Sequence, residues 1–213
     1  SLLRYVSPNT QMMVEKYLES DVLPPPEEKM MCVLFSDMRS FTAVTEEIPP
    51  QVLFDNVSAQ LGIQVELVYQ YRGYVDKFSG DGIMAVFEGP DGARNACNCA
   101  LDIIEKARTS PPVQENEGMA IGIGIHRGPV IVGNIGQGEH LDYSVIGRTV
   151  NFAARLCERA GLMDILVSES IINECKDVTE FRFANIQHVT LRGFDDTFAV
   201  YNLLPQLPPQ AFL

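Results

Sequence analysis

Residues 30–36 read Met-Met-Cys-Val-Leu-Phe-Ser, a continuous apolar run with no polar alternation. Such a run is typical of a buried strand rather than one with a wet face. It ends at Asp37. The chain then alternates helical and extended patterns around it. Pro49-Pro50 opens a helical stretch in which Leu53, Val57, Leu61, Val65 and Val68 recur every three or four residues, ending near Arg72-Gly73. Tyr74–Ser79 and Ile83–Glu88 read as two short strands joined by Gly80-Asp81-Gly82, a tight hairpin signal. Residues 92–108 are helical by the spacing of Ala93, Ala96, Cys97, Ala100, Leu101 and Ile104.

Further on, residues 119–125 and 129–135 read as paired strands around His126-Arg127-Gly128, followed by a loop and a strand at 141–146. Arg148–Ala160 is expected as a helix closed by Gly161, Ile165–Ser168 as a strand, and 168–176 as a short capped helix. Strands at 181–191 and 198–203 complete the pattern. Strands, hairpins and three substantial helices imply an α+β sandwich of the ferredoxin-like kind. Its sheet is mixed and mostly antiparallel, with helices packed on one face. The expected organisation is a linker or coupling helix with a Pro-rich connector at 1–28, a catalytic domain at 29–204 and a tail at 205–213.

Charge narrows the possible partners. A net charge of −12 over 213 residues argues against a nucleic-acid binder, which would carry a basic patch. It also disfavours unaided binding of other anions, so a phosphate substrate would have to bring metal ions. Apolar runs fall well short of the ~20 residues of a membrane span, and no membrane contact is expected of this segment. The 5 cysteines lack framework spacing and read as small hydrophobes in a reduced, cytoplasmic compartment.

Asp37, at the end of a buried strand, and Asp81, on a hairpin tip, are placed to share a hard cation such as Mg²⁺. Each also has an ordinary backbone explanation, as a helix cap or a turn residue. Arg148, Asn151 and Arg155 share one helix face. There Arg155 could clamp a phosphate bidentately and Asn151 could orient a sugar, or Arg155 could simply pair with Glu158 on a solvated face.

Four ordered segments go further. They are Phe35-Ser36-Asp37 through Phe41-Thr42, and Asp76-Lys77-Phe78-Ser79-Gly80-Asp81. The third is Gly124-Ile125-His126-Arg127-Gly128 with Gly133 and Gly136, and the fourth runs from Tyr143-Ser144 through Asn151 to Arg155. Together they resemble the catalytic domain of class III nucleotidyl cyclases. The resemblance implies two Mg²⁺ or Mn²⁺ ions on Asp37 and Asp81, and a phosphate-binding segment that includes Phe41 and Thr42. It also implies Lys77 and Ser144 as readers of the base, Asn151 on the ribose, Arg155 on the α-phosphoryl group, and Arg192 on a terminal phosphate.

In such a family one chain supplies the metal aspartates and the other the base-reading and transition-state residues. A homodimer is therefore implied, with the glycine-punctuated hairpin at its contact and an upstream sensor domain in the parent chain. The expected reaction is ATP to 3′,5′-cyclic AMP and pyrophosphate. Lysine carries only donors and adenine N1 is an acceptor, whereas guanine N1 is a donor. Ser144 can accept or donate, which leaves a guanylyl cyclase as an alternative; a catalytically silent nucleotide-binding dimerisation module is the alternative from another class. Without divalent metal, a chain this acidic should bind a nucleoside triphosphate poorly.

Overall fold

The computed structural model describes residues 8–20, 22–39, 49–109, 120–137 and 140–207. The apolar run at 30–36 lies inside strand β1 (Glu27–Arg39), which hydrogen-bonds along both edges. On one side lies β3 (Gly82–Phe87), itself paired with β2 (Tyr74–Ser79). On the other lies β4 (Ala120–Gln137). Outside β4 come β6 (Ile165–Ser168), β8 (Thr197–Pro205) and β7 (Phe181–Thr190), giving the order β2-β3-β1-β4-β6-β8-β7. A further strand, β5 (His140–Ile146), pairs with the distal half of β4. Among the described residues, only the β4–β6 pairing is parallel. The sheet is thus mixed and mostly antiparallel, as expected.

Two expectations need correction. The first concerns residues 119–135. They do not fold back at His126-Arg127-Gly128; β4 runs straight through as one 18-residue strand. Gly128-Pro129 is locally turn-like, but β1 offers a continuous antiparallel edge from Glu27 to Arg39. The glycines there serve packing. A Cβ on Gly128 would lie 2.5 Å from Thr149 Oγ1, and one on Gly124 would lie 2.2 Å from the Cys157 backbone nitrogen. Both make room for helix α4 (Arg148–Arg159), which lies directly on β4. The true hairpin in this region is β4–β5, where Gln137 faces His140.

The second correction concerns the helices, which cover both faces. Successive residues of β1 split between two cores, as the period of a strand requires. Cys32 and Leu34 pack with α2 (Pro50–Gln70) and α3 (Gly92–Thr109). Met31 and Val33 pack on the opposite side with Val130, Val145 and Ala153 of α4. A strand with apolar side chains on both faces needs a cover on both, which explains why residues 30–36 do not alternate. The short helix α5 (Glu169–Glu174) follows β6. All 5 cysteines are buried and unbridged.

Helix α1 (Pro8–Ser20) precedes the sheet. Among the described residues, no helix is long and apolar enough to cross a membrane.

Candidate active site

The carboxylates of Asp37 and Asp81 are brought together by backbone contact between their strands. Gly80 and Asp81 form a two-residue turn between paired Ser79 and Gly82, and Gly80 has φ of 59°. Positive φ at the first central position suits glycine. Gly82 then presses on β1, so that an added Cβ would lie 1.7 Å from the Ser36 carbonyl oxygen. Ser36 completes the clamp. It is 2% exposed, its hydroxyl donates to the Gln64 side-chain oxygen of α2, and it accepts from the Ile83 amide at 3.3 Å.

Burial holds the Asp37 carboxyl above the usual carboxylate range; Arg39 opposes this, while Asp81 and Glu158 push in the same direction. A buried carboxylate with a second one close enough to raise its cost of ionisation forms a natural seat for a divalent cation. Arg39 occupies part of this space. It pairs with Asp37 at 3.2 Å and donates to the Cys157 carbonyl. Among the described residues there is no cluster of three or more His, Cys, Asp and Glu side chains able to hold a metal. Two carboxylates with the remaining positions left to water and phosphate oxygens suit Mg²⁺, which keeps several waters.

Lys77 and Ser144 are 67 residues apart in sequence and meet at 2.7 Å, Lys77 Nζ donating to Ser144 Oγ. Ser144 in turn donates to Asp76 Oδ2 at 3.1 Å, and Lys77 forms an ion pair with the same oxygen at 3.4 Å. Asp76 is a partner that the sequence reading left without a role, although it stands beside Lys77.

A third group lies on α4. Asn151 is exposed. Arg155 pairs with Glu158, and Arg192 reaches the same carboxylate at 3.8 Å. Glu158 thus gathers the two arginines assigned to the substrate's phosphates. Phe41 and Thr42 lie outside the described residues. Arg39, paired with Asp37 and donating to the Cys157 carbonyl of α4, ties the first group to the helix of the third; among the described residues, no other hydrogen bond or ion pair joins the three groups. Nor do they line the cavity of about 460 Å³ bounded by His126, Arg148, Phe152, Phe194 and Phe198.

The mixed, mostly antiparallel sheet with helices packed on it is the fold of a class III nucleotidyl cyclase domain. The profile of the adenylate and guanylate cyclase catalytic domain family matches residues 23–205, and the chain belongs to that family. It is 29% identical over 186 residues to an adenylate cyclase of Anabaena cylindrica, covering 82% of this chain but only 37% of that protein. Its fold resembles the adenylyl cyclase CyaB from P. aeruginosa, with a TM-score of 0.77 and 26% identity over 86% of this chain and 98% of that one. It equally resembles the guanylyl cyclase Cya2 in fold, with a TM-score of 0.77 and 23% identity over 88% and 98% of the two chains. Cyclase domains of this family bind a nucleotide, generally depend on divalent metal and typically dimerise.

Proposed function

We propose that the domain is an adenylyl cyclase, converting ATP to 3′,5′-cyclic AMP and pyrophosphate at sites shared by two copies of the chain. The observation that carries this reading is the lysine at the base-reading position, held at 2.7 Å from Ser144 and 3.4 Å from Asp76. A donor-only side chain fixed in one place complements the N1 acceptor of adenine and opposes the N1–H of guanine.

Asp37 and Asp81 would hold two divalent cations, Mg²⁺ or Mn²⁺, which supply acidity for the ribose 3′-hydroxyl and neutralise triphosphate charge. The residues of the chain do the rest. Asn151 holds the ribose so that its 3′-oxygen lies in line with the α-phosphorus. As the 3′-hydroxyl gives up its proton to solvent and the new P–O bond forms, the bond from the α-phosphorus to the bridging oxygen breaks and pyrophosphate leaves. Arg155 donates to the α-phosphoryl oxygens, where charge rearranges in the transition state. Arg192 holds a terminal phosphate.

The division of roles supports a homodimer, because Lys77 and Asp81 serve different sites although four positions apart. The β4–β5 hairpin offers a surface for it, since Ile131, Ile135 and Ile146 are 37%, 43% and 45% exposed. Helix α1, with Leu18 77% exposed, suits a coupling element between a cytoplasmic catalytic domain and an upstream sensor.

The test is cyclic nucleotide production from ATP and from GTP, with Mg²⁺ or Mn²⁺, using Asp37→Ala as control. Cyclic AMP formation well above the control, with kcat/KM for ATP at least ~10-fold over GTP, is expected from one misplaced hydrogen bond. Product no higher than the control would favour the silent dimerisation module, and a preference for GTP would favour a guanylyl cyclase.

A further inference from the structure

Adjacent side chains on a regular strand point to opposite faces. Asp76 and Lys77 nevertheless both reach Ser144. The pairing of β2 with β3 shows why: Val75 faces Ala85 and Lys77 faces Met84, so Asp76 is the extra residue of a bulge. Bulges re-aim side chains, and this one turns two consecutive residues onto one hydroxyl.

The exposures assign the parts. Ser144 is 2% exposed and the Asp76 side chain 1%, while the Lys77 side chain is 43% exposed. An incoming base therefore meets Lys77, with Ser144 and Asp76 beneath it. Among the described residues, the ammonium meets two acceptors, Ser144 Oγ and Asp76 Oδ2. An ammonium has three N–H groups, so one remains on the open side. Ser144 is locked in turn, because its single proton goes to Asp76.

We propose that Asp76, acting with Ser144, is a positioning residue that pins Lys77 and thereby sets the preference for adenine. This rests on the adenylyl cyclase reading. A loose lysine could serve adenine N1 or swing to guanine O6. A pinned lysine offers one N–H at one place, where adenine presents a lone pair and guanine presents a second N–H. To reach O6 the ammonium must leave one of its two anchors. The state of Asp76 suits the role. Burial raises its carboxyl above the usual range, and Lys77 and Ser144 act against that rise. Its other oxygen, Oδ1, is buried with no hydrogen-bond partner, so the polar contacts of this carboxylate go to the lysine–serine pair.

The experiment compares kcat/KM for ATP and GTP in the wild type, Asp76→Asn, Ser144→Ala and Lys77→Ala, with thermal melts to verify folding. The ATP:GTP ratio should fall by roughly 10-fold in Asp76→Asn, as expected for loss of a charge-assisted contact, and fall in Ser144→Ala as well. In the Lys77→Ala background, Asp76→Asn should leave the ratio unchanged. A merely structural aspartate would lower use of both nucleotides alike. Should Asp76→Asn fail to fold, two readouts still decide. One is the Ser144→Ala ratio. The other is wild-type use of 1-deaza-ATP, which lacks the N1 acceptor and should lose at least ~10-fold against ATP. An ATP preference whose ratio is unmoved in the folded variants, or equal use of 1-deaza-ATP and ATP, overturns the pinning by Asp76 and leaves the adenylyl reading standing. Wild-type preference for GTP, or no cyclic product, overturns both.

Discussion

Gly82→Ala should separate folding from metal chemistry. The Cβ would sit 1.7 Å from the Ser36 carbonyl oxygen, 2.6 Å from its carbon and 3.0 Å from Asp37 Cα. All three are backbone atoms, so no side chain can swing aside. Reaching ordinary contact near 3.4 Å requires the β2–β3 turn and the end of β1 to part by well over ~1 Å. That motion carries Asp81 away from Asp37 and stretches the hydrogen bond from Ile83 to Ser36, now 3.3 Å.

Overpacking of this kind costs about 1–3 kcal/mol, which a domain of this size survives. A displacement of ~1 Å at a reacting centre costs about 10²-fold in rate. The variant should therefore fold, show a lower urea midpoint, and lose at least ~10²-fold in kcat with a raised Mg²⁺ requirement. Cyclic nucleotide production against a Mg²⁺ titration, alongside urea unfolding, measures both. Activity within about threefold of wild type at the same half-saturating Mg²⁺ would refute the argument that backbone contact at Gly82 aligns the two carboxylates.

Other consequences can be checked directly. Mixing Asp37→Ala and Asn151→Ala chains, each inactive alone, should restore roughly a quarter of wild-type activity. Random pairing makes half the dimers mixed, each with one intact site of two, and no recovery would contradict shared sites. Arg155→Ala should lower kcat by about 10²–10³ with little change in KM, whereas Arg192→Ala should act mainly on KM. A steady-state analysis that reversed this split would exchange their roles.

His126 gives a pH signature. Burial pulls its pKa down to about 4 from the usual 6.5, so the folded protein keeps it neutral where the unfolded chain takes up a proton. Its contribution to stability is full above pH 6.5 and is lost as pH falls toward 4, by about 2 kcal/mol at pH 5. Urea unfolding at pH 7 and pH 5 should show a smaller loss for His126→Gln than for wild type; equal losses would refute it.

Local chemistry made part of this protein readable from sequence. The unalternating run at 30–36 is a strand buried on both faces, and Pro50 and the helical spacing after it mark α2. Gly80-Asp81-Gly82 is the hairpin that carries Asp81, because a tight turn imposes its own residue types. Asp37 could be placed because it follows directly on the apolar run, although the strand itself continues past it to Arg39.

Other features depend on partners far away along the chain, and only the tertiary structure decided them. His126-Arg127-Gly128-Pro129 carries turn residues, yet β1 offers a long antiparallel edge and Thr149 needs the space above Gly128, so the segment is straight. The helices cover both faces because β1 has two apolar sides to bury, a demand that spacing within any one helix does not express. The meeting of Lys77 and Ser144, 67 residues apart, depends on the fold of β5 over the sheet. Asp76 joins them because a bulge in β2 turns two neighbours the same way, an event set by pairing with β3 and invisible in the letters themselves.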